Sequence, residues 1–327
     1  MTIVEFADML GMSTATVSRA FSGKGRISEK TRSLVHAKAA ELGYRPNLQA
    51  RMMVRGRTDT IAFFHEAPDK LDSDYYVNEV AFGISAAAAE AGKYLQTMTV
   101  PPNSATTPEM MLDVVLSRSV DGFLVSLLQP WAHDLIAAAR MNEVPTIVLD
   151  NTRPGDEATV SIGEQIEGAA RRVGAYLAGI GRRCPAMIRG IHDEGKVEGF
   201  RTGLGAAGEA LRVHPGGKTF QSGYDAMVQL LEREPQLDCL FCANDVLAIG
   251  AIRAALDQGR AVPGDLAVIG CDDLAMARYM APALTTIRLP KYDLGHWAVG
   301  RLLARIDNRP PPLAPNLECS LVLRQSA

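Results

Sequence analysis

The chain has 327 residues, 47% of them hydrophobic, and a formal net charge of −3, so it can bury one large core, or two, beside a small extra module. It contains no run of about 18 uninterrupted apolar residues, and the stretch from Met1 to Asp8 is too polar for a signal peptide, which argues for a cytoplasmic protein with no membrane partner. Five cysteines, an odd number scattered along a long chain, argue against a disulfide framework.

The charge is unevenly spread. Residues 1 to 57 hold ten Lys and Arg against four acids, a net +6, which leaves −9 on the other 270 residues. A small basic head on an acidic body suits attraction to phosphate at one end only, because Lys and Arg there replace counterions condensed on DNA. Within the head, Ile3, Phe6, Ala7 and Leu10 recur at helical spacing, and Gly11 permits a sharp turn after them. Ser13 is placed to cap a second helix, whose inward face is Val17 and Phe21, four residues apart. Thr14, Ala15, Ser18 and Arg19 are left facing out, and short side chains at a helix N-terminus allow close approach to base edges in a major groove. Ser13, Thr14, Ala15, Thr16, Ser18 and Arg19 are therefore candidate DNA contacts, with Arg19 suited to a guanine or to a phosphate. Ser28 caps a third helix with the apolar stripe Leu34, Val35, Ala39 and Leu42, and Gly43 is placed to end it in the left-handed conformation.

Pro46 suits the first turn of a further helix, but Asn47 to Met53 is shorter than the roughly 12 to 15 residues that an isolated helix needs in water. Either the segment is a simple linker, or it folds when two copies meet on DNA and push an apolar residue, Met53, between base pairs. Asn47, Ala50, Arg51 and Met53 are its candidate DNA contacts.

Three stretches carry a resemblance: Ser13 to Gly23, Ile27 to Arg32, and Leu42-Gly43-Tyr44-Arg45-Pro46-Asn47. They are similar to the headpiece of the lac repressor family of bacterial transcription regulators, and the likeness continues along the whole chain. It implies a helix-turn-helix headpiece at 1–45, a hinge helix and linker at 46–58, and a homodimeric or larger effector-binding body at 59–327. In that family a hinge leucine opens a central base step, and Met53 stands at its position here with similar volume on a more flexible stem.

From Thr60 onward, short apolar runs alternate with amphipathic stretches. Strands are expected at Ile61 to His65, Leu95 to Val100, Gly122 to Ser126, Thr146 to Leu149, Val160 to Ile162, Ala186 to Arg189, Leu237 to Ala243 and Leu266 to Cys271. Helices are expected at Asn78 to Ala91, Ala132 to Met141, Glu167 to Ala178, Tyr224 to Glu232 and Val246 to Asp257. This alternation means parallel sheets with helices on both faces, and two sheets fit the length better than one. The resemblance implies an α/β, two-lobed, type 1 periplasmic-binding-protein-like body crossed three times by the chain. Lobe 1 is then about 59–158 and 289–316, and lobe 2 about 159–288 and 317–327.

Ligands of such sheets bind at the carboxyl ends of the strands, between the halves. Asp150, Asn244 and Asp272 fall at strand ends, where their oxygens can accept from ligand hydroxyls or serve as caps and turns. Ser126 ends another strand, Tyr75 or Tyr76 can stack on a ring, and Phe220 can do so from the other lobe. Four residues before Phe200, where the family usually has arginine, stands Lys196, which cannot make the bidentate fork. His65 is a further candidate; with Lys196 it points to an anionic effector such as a sugar acid, while Glu66 and Glu164 favour a neutral sugar.

Enzyme signals are weak. No Walker loop, His-Glu-x-x-His or Gly-x-Ser-x-Gly in a strand-turn-helix context occurs, no cofactor is called for, and the six histidines show no pairing suited to zinc. Cys239 and Cys242 have metal-pair spacing, but residues three apart on a strand point to opposite faces. Trp131 and Trp297 are expected to pack. The small apolar face Val80, Ala81, Ile84, Ala87 and Ala88 is wide enough for both a sheet and a partner subunit. The expectation is a homodimeric, operator-binding repressor controlled by a small polar metabolite. An exported solute-binding protein would gain nothing from a DNA-reading head, and an enzyme carrying such a head would need a catalytic constellation.

Overall fold

A computed structural model describes residues 1–22, 26–45, 57–67, 75–101, 104, 106–126, 130–152 and 155–327. The head is three helices, α1 (Ile3–Met9), α2 (Thr14–Ser22) and α3 (Glu29–Glu41). Each begins where a hydroxyl can replace a missing helical acceptor. Thr2 and Glu5 form a reciprocal capping box on α1, Ser13 Oγ accepts from the Thr16 amide at 3.1 Å, and Ser28 Oγ accepts from the Thr31 amide at 3.1 Å. Gly43, at φ +63, ends α3 in the left-handed region and turns Tyr44 back onto the bundle. Tyr44 stacks on Phe6 with ring centroids 4.1 Å apart, closing a core of Phe6, Ala7, Val17, Ala20, Val35 and Ala39. Leu34, expected in that core, is exposed; Val35 and Ala39 carry the inward face.

In the body, β1 (Thr60–Glu66), β2 (Tyr94–Val100), β3 (Gly122–Ser126), β4 (Thr146–Leu149) and β5 (Thr159–Val160) form a parallel sheet in the order β2-β1-β3-β4-β5. Alternation along the strands supplies two cores. Ala62, Phe64, Phe123, Val125 and Val148 pack with Met111, Val115 and Leu135, while Ile61, Phe63, Leu124, Ile147 and Leu149 join the larger cluster on the other face. The helices of this lobe are α4 (Tyr75–Glu90), α5 (Thr106–Leu116) and α6 (Pro130–Met141).

The second sheet combines β6 (Pro185–Arg189), β7 (Arg212–Pro215), β8 (Cys239–Cys242), β9 (Ala267–Asp272), β10 (Thr285–Arg288) and β11 (Ser320–Val322), in the order β11-β10-β9-β8-β6-β7. Only β11 runs antiparallel to its neighbour. Helix α7 (Gly163–Gly179) packs on α8 (Glu194–Gly203), and α9 (Phe220–Arg233) packs on α10 (Asp245–Asp257). Helix α11 (Lys291–Ile306) returns to the first lobe and packs along α4. The chain thus passes between sheets three times, after β5, after β10 and after α11.

Two expectations shift. The strand placed at Val160 to Ile162 ends at Val160 and pairs with β4, so it belongs to the first sheet, beyond the division placed near 158; Ile162 stands immediately before α7. The small-residue face of α4 is occupied by the chain itself. A Cβ on Gly83 would collide with the Tyr292 carbonyl, and one on Gly295 with the Val80 carbonyl, so two glycines admit the close approach of α4 and α11. Phe82, on the opposite side of α4, is 75% exposed. Cys239 and Cys242 are both buried in the core, and Trp131 and Trp297 pack against the two clusters.

Candidate nucleic-acid interface and interlobe cleft

On α2 the buried side is Val17 and Ala20, which turns Thr14, Ala15 and Arg19 to solvent and leaves Thr16 and Ser18 half-buried. Ser13 and Thr16 hold each other through their hydroxyls, 2.9 Å apart, at the exposed helix start. The surface fits what a groove-reading helix needs: small polar groups at its N-terminal end and a cation one turn further on. The hinge candidates Asn47, Ala50, Arg51 and Met53 lie outside the described residues.

The first described residues after the hinge are fastened to the first lobe. Arg57 donates to the Asp307 carboxylate at 2.5 Å and to the Ile306 carbonyl at 2.9 Å, so its cation sits at the C-terminal end of α11, where exposed carbonyls favour it. Asp307, held by Arg57 and Arg309, is kept below the ordinary carboxylate range. Thr58 donates its amide to Asp121 at 2.6 Å.

Between the lobes lies a cavity of about 500 Å³, within the range of small-molecule sites. Tyr75, Tyr76, Ser126, Asp150, Lys196, Asn244 and Asp272 line it. His65 does not: its Nδ1 donates to the Glu66 carbonyl at 2.9 Å, its Nε2 lies 3.2 Å from the Thr99 hydroxyl, and its ring stacks on Phe63. Phe220 is also absent from the lining. Thr219 caps α9, and Phe220, the first residue of that helix, sets its backbone carbonyl against Gly250 of α10.

The polar residues at the strand ends also organise the walls. Asn244 Oδ1 caps α10 by accepting from the Leu247 amide at 2.8 Å. Asp150 Oδ1 accepts from the Thr152 amide and hydroxyl at 2.8 and 2.7 Å. Both residues thus line the cavity while their Oδ1 atoms serve the backbone, which leaves Asn244 its amide nitrogen as a donor. Asn151, which sequence reasoning passed over, donates to Tyr76 Oη at 2.7 Å and accepts from the Ile162 amide at 3.0 Å, tying the first crossing strand to α4. Burial raises the Tyr76 phenol well above its ordinary range.

Lys196 Nζ donates to Asp193 Oδ1 at 2.7 Å and to the Ala243 carbonyl at 3.0 Å. Burial opposes its charge, but the neighbouring carboxylates of Asp193 and Asp272 outweigh that and hold its affinity for the proton above normal. Asp193 was missed, although its position three residues before Lys196 is the spacing of a helical ion pair. Lys218, also in the lining, reaches across the cleft to Glu66 of the other lobe at 3.7 Å.

Asp272 occupies φ 126° and Asp273 φ 50°, backbone regions that side chains rarely adopt. Contacts made by three side chains, Asp273, Asp245 and Lys291, brace this turn. Asp273 binds Arg324 and Arg288; burial pushes its carboxyl up, but those guanidinium bonds outweigh it and keep the group below its usual range. Buried Asp245 accepts from the Leu274 amide at 2.7 Å and from the Thr286 hydroxyl, and burial lifts it to about 6. Lys291, almost wholly buried at the start of α11, donates to the Asp272 carbonyl at 2.8 Å and pairs with Glu79 of α4, also at 2.8 Å. So braced, the Asp272 carboxyl faces the cavity, and burial raises it to about 7 despite Lys291 and Lys196.

Among the described residues, no group of three or more His, Cys, Asp or Glu is placed to hold a metal ion, and no helix is long and apolar enough to cross a membrane. Residues 2–47 match the model of the bacterial regulatory proteins of the lacI family, and residues 176–327 match that of the periplasmic binding protein-like domain. The HTH-type transcriptional regulator CelR of Thermobifida fusca is 30% identical over 345 residues, covering 99% of this chain and 98% of that one. The HTH-type transcriptional repressor PurR of Yersinia enterocolitica is 32% identical over 338 residues, covering 99% and 96%. Among solved structures, a CelR–cellobiose complex shares 29% identity at a TM-score of 0.73 and covers both chains fully. A lac repressor dimer bound to operator and the anti-inducer ONPF has the same fold, with a TM-score of 0.84, 23% identity, and coverage of 100% of this chain and 98% of that one.

Proposed function

Because this chain belongs to the lacI family of bacterial regulatory proteins, we propose that it is a cytoplasmic homodimeric repressor whose operator affinity is set by a small polyhydroxylated metabolite bound between its lobes. It is a DNA-binding transcription regulator with a small-molecule effector, as its relatives are. The observation that carries the effector reading is the 500 Å³ interlobe cavity, where acceptors and donors from both lobes converge on one space. The cleft is read as a binding site and not as a catalytic one.

The mechanism is linkage. A ligand that touches both lobes favours one arrangement of them, and it shifts operator affinity by the difference between its affinities for the two arrangements. In this reading Tyr75, Tyr76, Ser126, Asp150, Asn244 and Asp272 position the ligand, while Thr14, Ala15, Ser18 and Arg19 read the operator. Asn47, Ala50, Arg51 and Met53 supply the hinge contacts.

The test is a thermal-shift screen of the full chain over sugars, sugar acids, polyols and nucleobases, followed by footprinting on DNA selected from a random pool. A compound that stabilises the protein should also change operator affinity, with release marking an inducer and tightening a corepressor. Compounds that stabilise the chain and leave DNA affinity untouched would sink the linkage.

A further inference from the structure

We infer that the Asp193–Lys196 ion pair sets the ligand class of the cleft, admitting uncharged polyhydroxylated molecules and turning away anionic ones. This rests on the reading of the cleft as the effector site and deepens it. Lys196 is one of two lysines in the lining, and an anion entering the cavity would need an available cation. Neither is available. Lys196 spends two of its three N–H donors on Asp193 and the Ala243 carbonyl, and Lys218 lies nearest Glu66.

Asp193 is itself well fixed. Its Oδ2 accepts from the Gly190 amide at 2.7 Å while its Oδ1 holds Lys196, and its side chain is nearly buried. A carboxylate so placed cannot swing away to make room for that of a ligand. Glu164 and Asp272 also line the cavity, and among the described residues neither has a cation within salt-bridge distance of its carboxyl. A ligand carboxylate or phosphate would therefore meet a cation already answered by Asp193, with the Glu164 carboxylate as a like charge in the lining. A hydroxyl meets the reverse: carboxyl oxygens that accept from it and the third Lys196 donor that gives to it. The pair leaves lysine as a hydrogen-bond donor with its charge already answered, which corrects the weight that Lys196 and His65 lend to a sugar acid.

The experiment is calorimetry and thermal shift on the full chain with glucose and gluconate, ribose and ribonate, and inorganic phosphate. Wild type should show no anion-induced stabilisation at millimolar concentration. D193N keeps an oxygen for the Gly190 amide, removes the negative charge and leaves Lys196 cationic, so gluconate or phosphate should bind it at least about tenfold tighter than wild type. Adding K196Q should abolish that gain. Anion binding by wild type, no gain in D193N, or a gain that survives K196Q would each overturn the inference. Should D193N fail to fold, the wild-type arm still decides. Binding is read without DNA, so loss of the linkage between cleft and operator leaves this test intact.

Discussion

Asp272 shows how one residue can both brace the fold and line the cleft. Its backbone is held in a rare conformation, its carbonyl accepts from Lys291, and its carboxyl, surrounded by Lys291, Lys196, Asp193 and Asp245, is raised to about 7. A carboxyl raised above its unfolded value binds more protons in the folded state. Its contribution is therefore fully present below the unfolded pKa near 4 and is lost as pH climbs through about 7. The ligand-free chain should melt at lower temperature at pH 8 than at pH 6, and D272N should flatten that difference; an unchanged profile in D272N would place the titration elsewhere. At Arg19 the open choice is between base and phosphate. Arg19→Ala should cost about 1 to 3 kcal/mol on one operator and little on others if the guanidinium reads a base, and similar amounts on all sequences if it holds phosphate. That Asp150, Asn244 and Asp272 line the cleft was legible in the sequence, because they stand where strands end. His65 and Phe220 were misjudged because a side chain's direction depends on the neighbouring strand and on a helix cap, neither of which chain order reveals.

At the scale of elements, caps and apolar periodicity made the head readable to within a residue or two, since Ser13 and Ser28 mark two of the helix starts chemically; the Thr2 cap of the first helix emerged only from the structure. Strands β7, β10 and β11 were not legible. Each has three or four residues, and β7 is largely exposed, so none presents an apolar run. They exist because neighbouring strands offer unpaired backbone, a property of the assembled sheet. Tyr44 stands outside the apolar stripe expected for the third helix, yet its ring completes the head core on Phe6. Tyr44→Ala should lower head stability by about 3 to 5 kcal/mol, seen in head amides by hydrogen exchange with the body unaffected. The α4–α11 contact makes a second prediction: Gly295→Val drives a side chain into the Val80 carbonyl and should cost about 1 to 3 kcal/mol or more. An unchanged melting temperature would mean that the two helices can slide apart freely.

Over the whole molecule, charge separates by task. The head carries +6 and the body −9, so DNA affinity should fall steeply with salt while ligand affinity should not. Cutting the chain just before Arg57 keeps the Asp307 anchor; the product should lose DNA binding and retain ligand-induced thermal stabilisation, and a truncated chain that still footprints DNA would refute this division of labour.

Helix α11 gives that division a mechanical side. It starts at Lys291, which grips the Asp272 carbonyl beside the cleft, and it finishes at Ile306 and Asp307, which grip Arg57. Sixteen residues of helix span about 24 Å at 1.5 Å each, so a tilt of about 5° at one end displaces the other by about 2 Å. That stroke exceeds the tolerance of a guanidinium–carbonyl hydrogen bond. One helix thus joins the cleft wall at Asp272 to the Arg57 anchor at the foot of the DNA-binding arm, so the two ends of the molecule's task share a single rod.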